Sequence, residues 1–157
     1  MYSTQQANLV SAYGGFFHQW PWDHFATLTF ARKQSQANCV RHWNEFIESL
    51  NCITRGRVGW IRSDEKRWSG CGRPDVPLHF QALLKYWKRP KPEVVEALWK
   101  ARAGDAQVEA YLRGGASGGG AAWYLAKQFP YEDTRYDLGG LDHFGRLDDL
   151  PIRGSNN

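Results

Sequence analysis

The segment from Pro77 to Trp87 constrains the fold more than any other part of the chain. Read with the period of two that a β-strand has, it separates into two faces. One face is wholly apolar and consists of Leu78, Phe80, Ala82 and Leu84. The other face carries His79, Gln81, Leu83 and Lys85. The pattern predicts a strand with one face in the core and polar groups on the other.

His79 and Gln81 are two candidate metal ligands on this second face. They lie two residues apart, about 7 Å along a strand, and can approach one hard cation if an acid joins them. The preceding strand ends in Ser63-Asp64-Glu65. We favour Glu65 for its reach, but Asp64 stays open because alternation does not settle register near a strand end. The alternative is a hydrogen-bonded core histidine and an acid that serves only solubility.

Periodicity and capping signals elsewhere predict strands and helices in alternation. Predicted strands cover residues 25–30, 57–65, 77–87 and 107–112. Predicted helices cover residues 35–50, 92–104 and 121–128. This order predicts an α+β fold of the ferredoxin-like, split βαβ type, with an antiparallel sheet of about four to five strands. Helices would cover one face of the sheet, and the helix that carries Tyr124 would lie over the other.

The chain is expected to form a single domain over residues 1–157. Its 157 residues and 42% hydrophobic content agree with one core. The core would span residues 25–130, with an N-terminal arm at 1–22 and a C-terminal tail at 131–157 that wraps the surface or is disordered. The glycine run at 114–120 lacks the ending of a phosphate-binding loop and is interpreted as a flexible joint.

Charge and cysteine content narrow the class of protein. The formal net charge of +4 permits a polyanionic partner. Cys39, Cys52 and Cys71 form no CxxC pair, which favours free thiols in a reducing compartment over disulfides or a zinc site. No apolar run has the length of a membrane span, and the N-terminus lacks a signal peptide pattern. We therefore expect a cytoplasmic protein without membrane partners.

The last predicted helix presents Tyr124, Lys127 and Gln128 at helical spacing, so that a phenol lies beside an ammonium. Such a pair on a surface helix is usually without function. Here it follows the glycine joint, which would let the helix adjust against a bound substrate.

Taken in order, residues 25–30, Glu65, residues 78–84 and residues 124–127 resemble the motifs of replication initiator (Rep) proteins. These belong to the HUH endonuclease superfamily, the rolling-circle nickases of plasmids and single-stranded DNA viruses. The similarity covers roughly residues 25–130. The chain departs from the usual His-hydrophobic-His motif by having Gln81 in place of the second histidine, a form that some viral members share. With one tyrosine in the third motif, it resembles the single-tyrosine class.

The resemblance implies a metal-dependent endonuclease that nicks and rejoins single-stranded DNA at an origin or hairpin. Tyr124 would be the nucleophile and would form a 5′-phosphotyrosine, and Lys127 would stabilise the developing charge. Glu65, His79 and Gln81 would hold Mn²⁺ or Mg²⁺. A plasmid or virus in a bacterial host would encode the protein, and a separate helicase would unwind the DNA, since the chain has no helicase segment.

Basic and aromatic residues around the third predicted strand are candidates for DNA binding. The basic ones are Arg67, Arg73, Lys85, Lys88, Arg89 and Lys91, and the tryptophans on which bases could stack near the site are Trp68 and Trp87. The alternative is a solvated basic rim. The main functional alternative is a non-catalytic module that binds single-stranded nucleic acid on the same fold, and a weaker one is a structural or regulatory relic.

Overall fold

The structure is a computed structural model that describes residues 3–65, 79–112, 120–127 and 135–146. In this part of the chain the helices are α1 (Thr4–Phe17), α2 (Gln36–Ile53), α3 (Pro92–Lys100) and α4 (Ala121–Ala126). The strands are β1 (His24–Phe30), β2 (Val58–Glu65), β3 (His79–Tyr86), β4 (Gly104–Ala110) and β5 (Arg135–Gly139), and a 3₁₀ helix covers Leu141–His143. The five strands form one sheet in the order β4-β1-β3-β2-β5, and every neighbouring pair is antiparallel. The predicted α+β class with a split βαβ sheet is confirmed.

The alternation predicted for the third strand is confirmed in the described residues. Phe80, Ala82 and Leu84 pack in a core with α2 and α3. Leu83 faces the other way and packs in a second cluster with residues of α1 and α4. We call this second side of the sheet the α4 face. Leu78 lies outside the described residues, so its predicted place in the core is not tested.

Helices α2 and α3 present apolar side chains to the sheet at helical spacing, and a side-chain cap starts α2. The Ser35 hydroxyl accepts a hydrogen bond from the Asn38 N–H at 3.2 Å, which caps α2. Trp43 on α2 and Trp99 on α3 are fully buried against the sheet, and burying one large apolar side chain contributes about 1.5–3 kcal/mol. Just beyond α3, the Arg102 guanidinium reaches back to Glu45 of α2 at 2.6 Å. This contact ties the end of α3 to α2.

The N-terminal arm contains a helix that the sequence did not predict, because residues 4–17 form α1. A capping box starts this helix: the Ser3 hydroxyl accepts from the Gln6 N–H, and the Gln6 side chain accepts from the Ser3 N–H. The pair Gly14-Gly15 lowers the helix propensity of this segment. For this reason the sequence did not indicate a helix here. Packing against α4 outweighs that loss, since Phe17 and the α4 residue Leu125 are buried in one cluster.

The C-terminal tail is also more regular than predicted. Residues 135–139 form β5, which pairs with β2 from Trp60↔Gly139 to Asp64↔Arg135. A strand of five residues carries little local signal, and backbone pairing with β2 stabilises it. Two smaller differences concern element ends: α3 stops at Lys100, and β4 already begins at Gly104. Residues 66–78 and most of the glycine run at 114–120 lie outside the described residues.

Gly14 of α1 packs directly against the Trp123 indole of α4, so a methyl group there should destabilise the protein. A Cβ on Gly14 would lie 2.4 Å from Cδ1 of Trp123. We expect Gly14→Ala to lower the free energy of unfolding by about 1–3 kcal/mol in urea titrations followed by circular dichroism.

Gly15→Ala is the matched control for this prediction. A Cβ on Gly15 meets nothing within 4 Å, and alanine favours the helix by up to about 1 kcal/mol over glycine. Equal effects of the two substitutions would contradict the proposed packing of α1 on α4.

Candidate functional site

The register of β2 and β3 brings three separated residues together on the α4 face. Glu65 lies opposite His79, and Ser63 lies opposite Gln81. Oε2 of Glu65 is 2.6 Å from Nε2 of His79 and accepts a hydrogen bond of 3.0 Å from Nε2 of Gln81. The three residues expected to hold a metal therefore form one cluster, which we call the Glu65 cluster.

The cluster is buried, and within the described part of the chain one oxygen atom in it and one beside it lack a hydrogen bond. Glu65 is 6% exposed and Gln81 is 4% exposed. Oε1 of Gln81 and Oγ of Ser63 are both buried and have no hydrogen-bond partner among the described residues. An unsatisfied buried polar group costs about 1–3 kcal/mol. A group that accepts lone pairs, such as a cation, would remove this cost.

The residues of the cluster fit a hard divalent cation. Glu65 supplies a carboxylate, His79 an imidazole nitrogen and Gln81 an amide oxygen, and a half-turn of the Gln81 carboxamide exchanges Oε1 with Nε2. Oxygen ligands suit Mg²⁺ and Mn²⁺, and imidazole adds affinity for the transition metal. The described part of the chain contains no group of three or more His, Cys, Asp or Glu placed to hold a metal. A site here would therefore depend on Gln81, with one carboxylate and modest affinity.

Asp64 lies on the opposite side of β2 from the cluster. Its Oδ1 is 2.7 Å from Nε of Arg62, and its Oδ2 accepts a hydrogen bond from Gln36 of α2. The Arg62 guanidinium lies over the rings of Phe80 and Trp43, at 4.5 and 5.3 Å from their centroids. Burial raises the pKa of Asp64, and Arg62 opposes that shift. Of the two acids left open by the sequence, only Glu65 is placed beside His79.

Tyr124 of α4 lies on the same face as the Glu65 cluster. Its ring packs edge-on against Phe25 of β1, with centroids 6.0 Å apart. Phe25 is opposite Leu83, which is two residues from Gln81 on β3. The Tyr124 ring thus lies over the next row of the sheet, a step of about 7 Å along the strand. Tyr124 is 45% exposed, and Nζ of Lys127 is 5.6 Å from its ring centroid.

Helix α1 supports the helix that carries Tyr124. The His18 ring, just after α1, lies 4.9 Å from the Trp123 ring, and Nδ1 of His18 is 2.8 Å from the Tyr111 hydroxyl. Gly14 leaves room for the same indole. The sequence did not reveal this support, because no helix was predicted within the N-terminal arm.

The α4 face contains further residues that the sequence did not single out. Thr27 is opposite Gln81 and Thr29 is opposite His79, and the alternation of residues 25–30 would have found both. Tyr136 of β5 is opposite Ser63, is 50% exposed and lies 6.3 Å from the Tyr13 ring of α1. Like Tyr124, it is an exposed tyrosine on this face. The sequence contained no local pattern that predicted the strand that carries it.

The basic and aromatic residues at the end of β3 and beyond it lie away from the Glu65 cluster. Lys85 is six residues from His79 on the same strand, about 20 Å along it, and its Nζ is 3.1 Å from Asp23. Trp87 is 69% exposed, and its ring centroid is 6.0 Å from the guanidinium carbon of Arg57, at the end of β3 away from the cluster. The expectation that Trp87 lies beside the site is therefore wrong. Lys88, Arg89 and Lys91 are exposed beyond the same strand end, and Arg67, Trp68 and Arg73 lie outside the described residues.

Comparisons with known proteins leave the family of this chain open. No family model matches it, and no curated protein matches it. Among solved structures it is similar to the hypothetical protein ORF119 from Sulfolobus islandicus rod-shaped virus 1, with 12% identity and a TM-score of 0.46, over 76% of this chain and 89% of that chain. A similarity of this size is too low to assign a fold or an activity. Within the described ranges, no helix has the length and apolar character needed to cross a membrane.

The two neighbouring acids of β2 should have different effects on stability. Asp64→Ala leaves the buried Arg62 charge unpaired, and we expect the free energy of unfolding to fall by about 3–5 kcal/mol. Glu65→Gln keeps an oxygen acceptor for Gln81, and we expect a loss of about 1 kcal/mol. Urea titration of both variants measures the difference. Equal losses would contradict the opposite placement of the two carboxylates.

Proposed function

We propose that this protein nicks and rejoins single-stranded DNA, with Tyr124 as the nucleophile and Mn²⁺ or Mg²⁺ held by Glu65, His79 and Gln81. The observation that supports the proposal best is the meeting of these three side chains on the face that also carries Tyr124. The resemblance to Rep endonucleases in the order of these residues adds to it. A divalent cation bound there would polarise the scissile phosphate.

The chain's own residues would perform the bond changes. Oη of Tyr124 forms a bond to phosphorus while the bond to O3′ breaks, which leaves a 5′-phosphotyrosine and a free 3′-hydroxyl. The phenol gives up its proton on attack, and the departing O3′ takes one up. Lys127, near the Tyr124 ring, would stabilise the negative charge that develops. The phosphotyrosine is itself an ester, so attack by a 3′-hydroxyl reverses the step and joins strands.

The buried position of the cluster suits this role. Glu65 and Gln81 are shielded from water, which strengthens the attraction between the carboxylate and a cation. The proposed substrate is single-stranded DNA at an origin or hairpin, unwound by a separate helicase. The proposed setting is the cytoplasm of a bacterial host that carries a plasmid or virus. The competing function is a binding module without catalysis. Formation of a covalent adduct by the wild-type protein distinguishes the two functions, because a binding module would form none.

Metal binding should depend on the Glu65 cluster. We expect wild-type protein to bind Mn²⁺ in titrations followed by electron paramagnetic resonance, and His79→Ala to weaken binding at least about tenfold by removing a ligand. Gln81→His should strengthen it, because imidazole is the better donor to Mn²⁺. EDTA should abolish nicking, and Mn²⁺ or Mg²⁺ should restore it.

His143→Ala is the matched control for metal binding. His143 lies beside Arg57, near the start of β2, while Glu65 is at the end of that strand. Its substitution should leave Mn²⁺ affinity unchanged. If His79→Ala kept the Mn²⁺ affinity and the cleavage activity of the wild-type protein, β3 would not be part of the metal site.

Tyr124→Phe should abolish both nicking and the covalent adduct. The variant loses one hydroxyl and keeps the ring that packs on Phe25, so stability and DNA affinity should change little. The assay incubates protein with pooled single-stranded oligonucleotides and Mn²⁺ and detects an adduct that survives SDS electrophoresis. Mass spectrometry of the wild-type adduct should find the nucleotide on the peptide that contains Tyr124.

Tyr136→Phe is the sharpest control, because Tyr136 lies on the same face. This variant should still form the adduct. If the adduct still formed in Tyr124→Phe and was lost in Tyr136→Phe, the nucleophile would be Tyr136 of β5 and not Tyr124. No adduct from wild-type protein with any oligonucleotide would favour the binding module.

A further inference from the structure

Ser63 and Gln81 are buried neighbours on the α4 face, and each has an oxygen atom without a partner. The two residues lie directly opposite each other on β2 and β3, so their Cβ atoms are about 4.5–5.5 Å apart. Ser63 is 0% exposed and Gln81 is 4% exposed. Within the described part of the chain, neither Oγ of Ser63 nor Oε1 of Gln81 has a hydrogen-bond partner. Two unsatisfied polar groups therefore lie side by side in the sheet.

The orientation of the Gln81 carboxamide explains why its oxygen lacks a partner. Nε2 of Gln81 donates to Oε2 of Glu65 at 3.0 Å, and the same Oε2 is 2.6 Å from Nε2 of His79. The oxygen and nitrogen of a carboxamide lie on opposite sides of its carbon. Oε1 is therefore on the far side of the carboxamide from the only described group to which Gln81 is hydrogen-bonded through its side chain.

Binding of a cation requires this carboxamide to turn over. A cation takes the Gln81 oxygen, because the NH₂ group is only a donor. The His79 side chain is 12% exposed, which leaves one edge of the cluster open to a cation. After a half-turn, Oε1 faces Glu65 and Nε2 takes the former place of Oε1. A buried N–H group without an acceptor is rarer in proteins than a buried oxygen without a donor, so the turned carboxamide needs an acceptor on its new side.

The Ser63 hydroxyl is the acceptor best placed for the turned carboxamide. It lies opposite Gln81 on β2, and the Gln81 side chain already leans toward β2 because Glu65 is on that strand. A hydroxyl accepts as well as donates, and rotation about χ1 moves its oxygen between three staggered positions. Thr27 carries another hydroxyl opposite Gln81, but it is on β1, on the far side of β3 from Glu65.

We infer that Ser63 is a positioning residue for the metal: its hydroxyl accepts a hydrogen bond from Nε2 of Gln81 and so holds the carboxamide with its oxygen toward the cation. This inference rests on the proposed function, because it assigns Ser63 a role at the proposed metal site. It accounts for both unpaired oxygens, since Oε1 of Gln81 gains the cation and Oγ of Ser63 gains the amide. Partners that orient a metal ligand typically contribute about 10–100-fold in metal affinity.

The experiment measures Mn²⁺ affinity of the full chain by electron paramagnetic resonance. Ser63→Ala should weaken Mn²⁺ binding about tenfold, because the carboxamide loses the partner that holds its oxygen toward the cation. In EDTA, urea titration should find the same variant no less stable than wild type, because the hydroxyl that it loses has no partner in the described fold. Weaker binding without a loss of stability separates positioning from a structural role.

Thr27→Val is the matched control. It removes the other hydroxyl opposite Gln81 and keeps nearly the same side-chain volume. Mn²⁺ affinity should change by no more than about twofold. A loss as large as that of Ser63→Ala would overturn the inference, because the position of the hydroxyl on β2 would then not matter.

Gln81→Glu tests whether Ser63 acts through the carboxamide. A carboxylate has two equivalent oxygens and presents one to a cation in either orientation, so it needs no partner to hold it. In the Gln81→Glu background, Ser63→Ala should therefore change Mn²⁺ affinity by no more than about twofold. An equal loss in both backgrounds would overturn the inference. Unchanged or tighter Mn²⁺ binding by Ser63→Ala alone would also overturn it.

The assays distinguish failure of this inference from failure of the proposed function. If wild-type protein binds Mn²⁺ and nicks DNA, and Ser63→Ala binds Mn²⁺ as tightly, only the role of Ser63 is wrong. If wild-type protein binds no Mn²⁺, the metal site is wrong and the role of Ser63 is wrong with it. If Mn²⁺ binding depends on Ser63 but no adduct ever forms, the metal site and its positioning residue stand and the nicking reaction is wrong.

Discussion

The antiparallel pairing of β2 with β3 is the interaction on which the rest of the structure depends. These strands occupy the middle of the five-stranded sheet beside β1 and β5, and they pair from Val58↔Tyr86 to Glu65↔His79. Because side chains alternate with a period of two, one register decides both faces at once. It places Phe80 in the core and His79 with Glu65 on the α4 face. A slip of one residue would exchange these sets.

The buried pair of Arg62 and Asp64 makes such a slip costly. Both side chains are almost fully buried, at 4% and 0% exposure, and aromatic rings of Trp43 and Phe80 enclose the guanidinium. A buried ion pair adds little net stability, but separation of its partners leaves an uncompensated charge in the core. We infer that this pair specifies register on β2. It also assigns different roles to two adjacent acids, since Asp64 neutralises Arg62 and Glu65 is left for His79.

The α4 face is divided into a covered part and a polar part. Helices α1 and α4 cover the apolar rows, where Ile61 and Leu83 are fully buried. The polar rows begin at Gln81 and continue through His79 to the end of the sheet. Tyr124 lies at the boundary, packed on Phe25 of the covered part. This division puts an exposed phenol and a buried acceptor-rich cluster on the same face of the sheet.

The sequence by itself determined the features that depend on local period and residue type. Alternation in residues 77–87 identified the core face and the face of His79 and Gln81, and apolar spacing located α2 and α3. Tertiary structure alone decided the choice of Glu65 over Asp64, since that choice is made by Arg62 and by the register with β3. It also decided that α1 is a helix, that residues 135–139 are a strand, and that Trp87 lies far from the cluster. These features depend on contacts between residues distant in the chain, which outweigh weak local preferences and which a single sequence does not display.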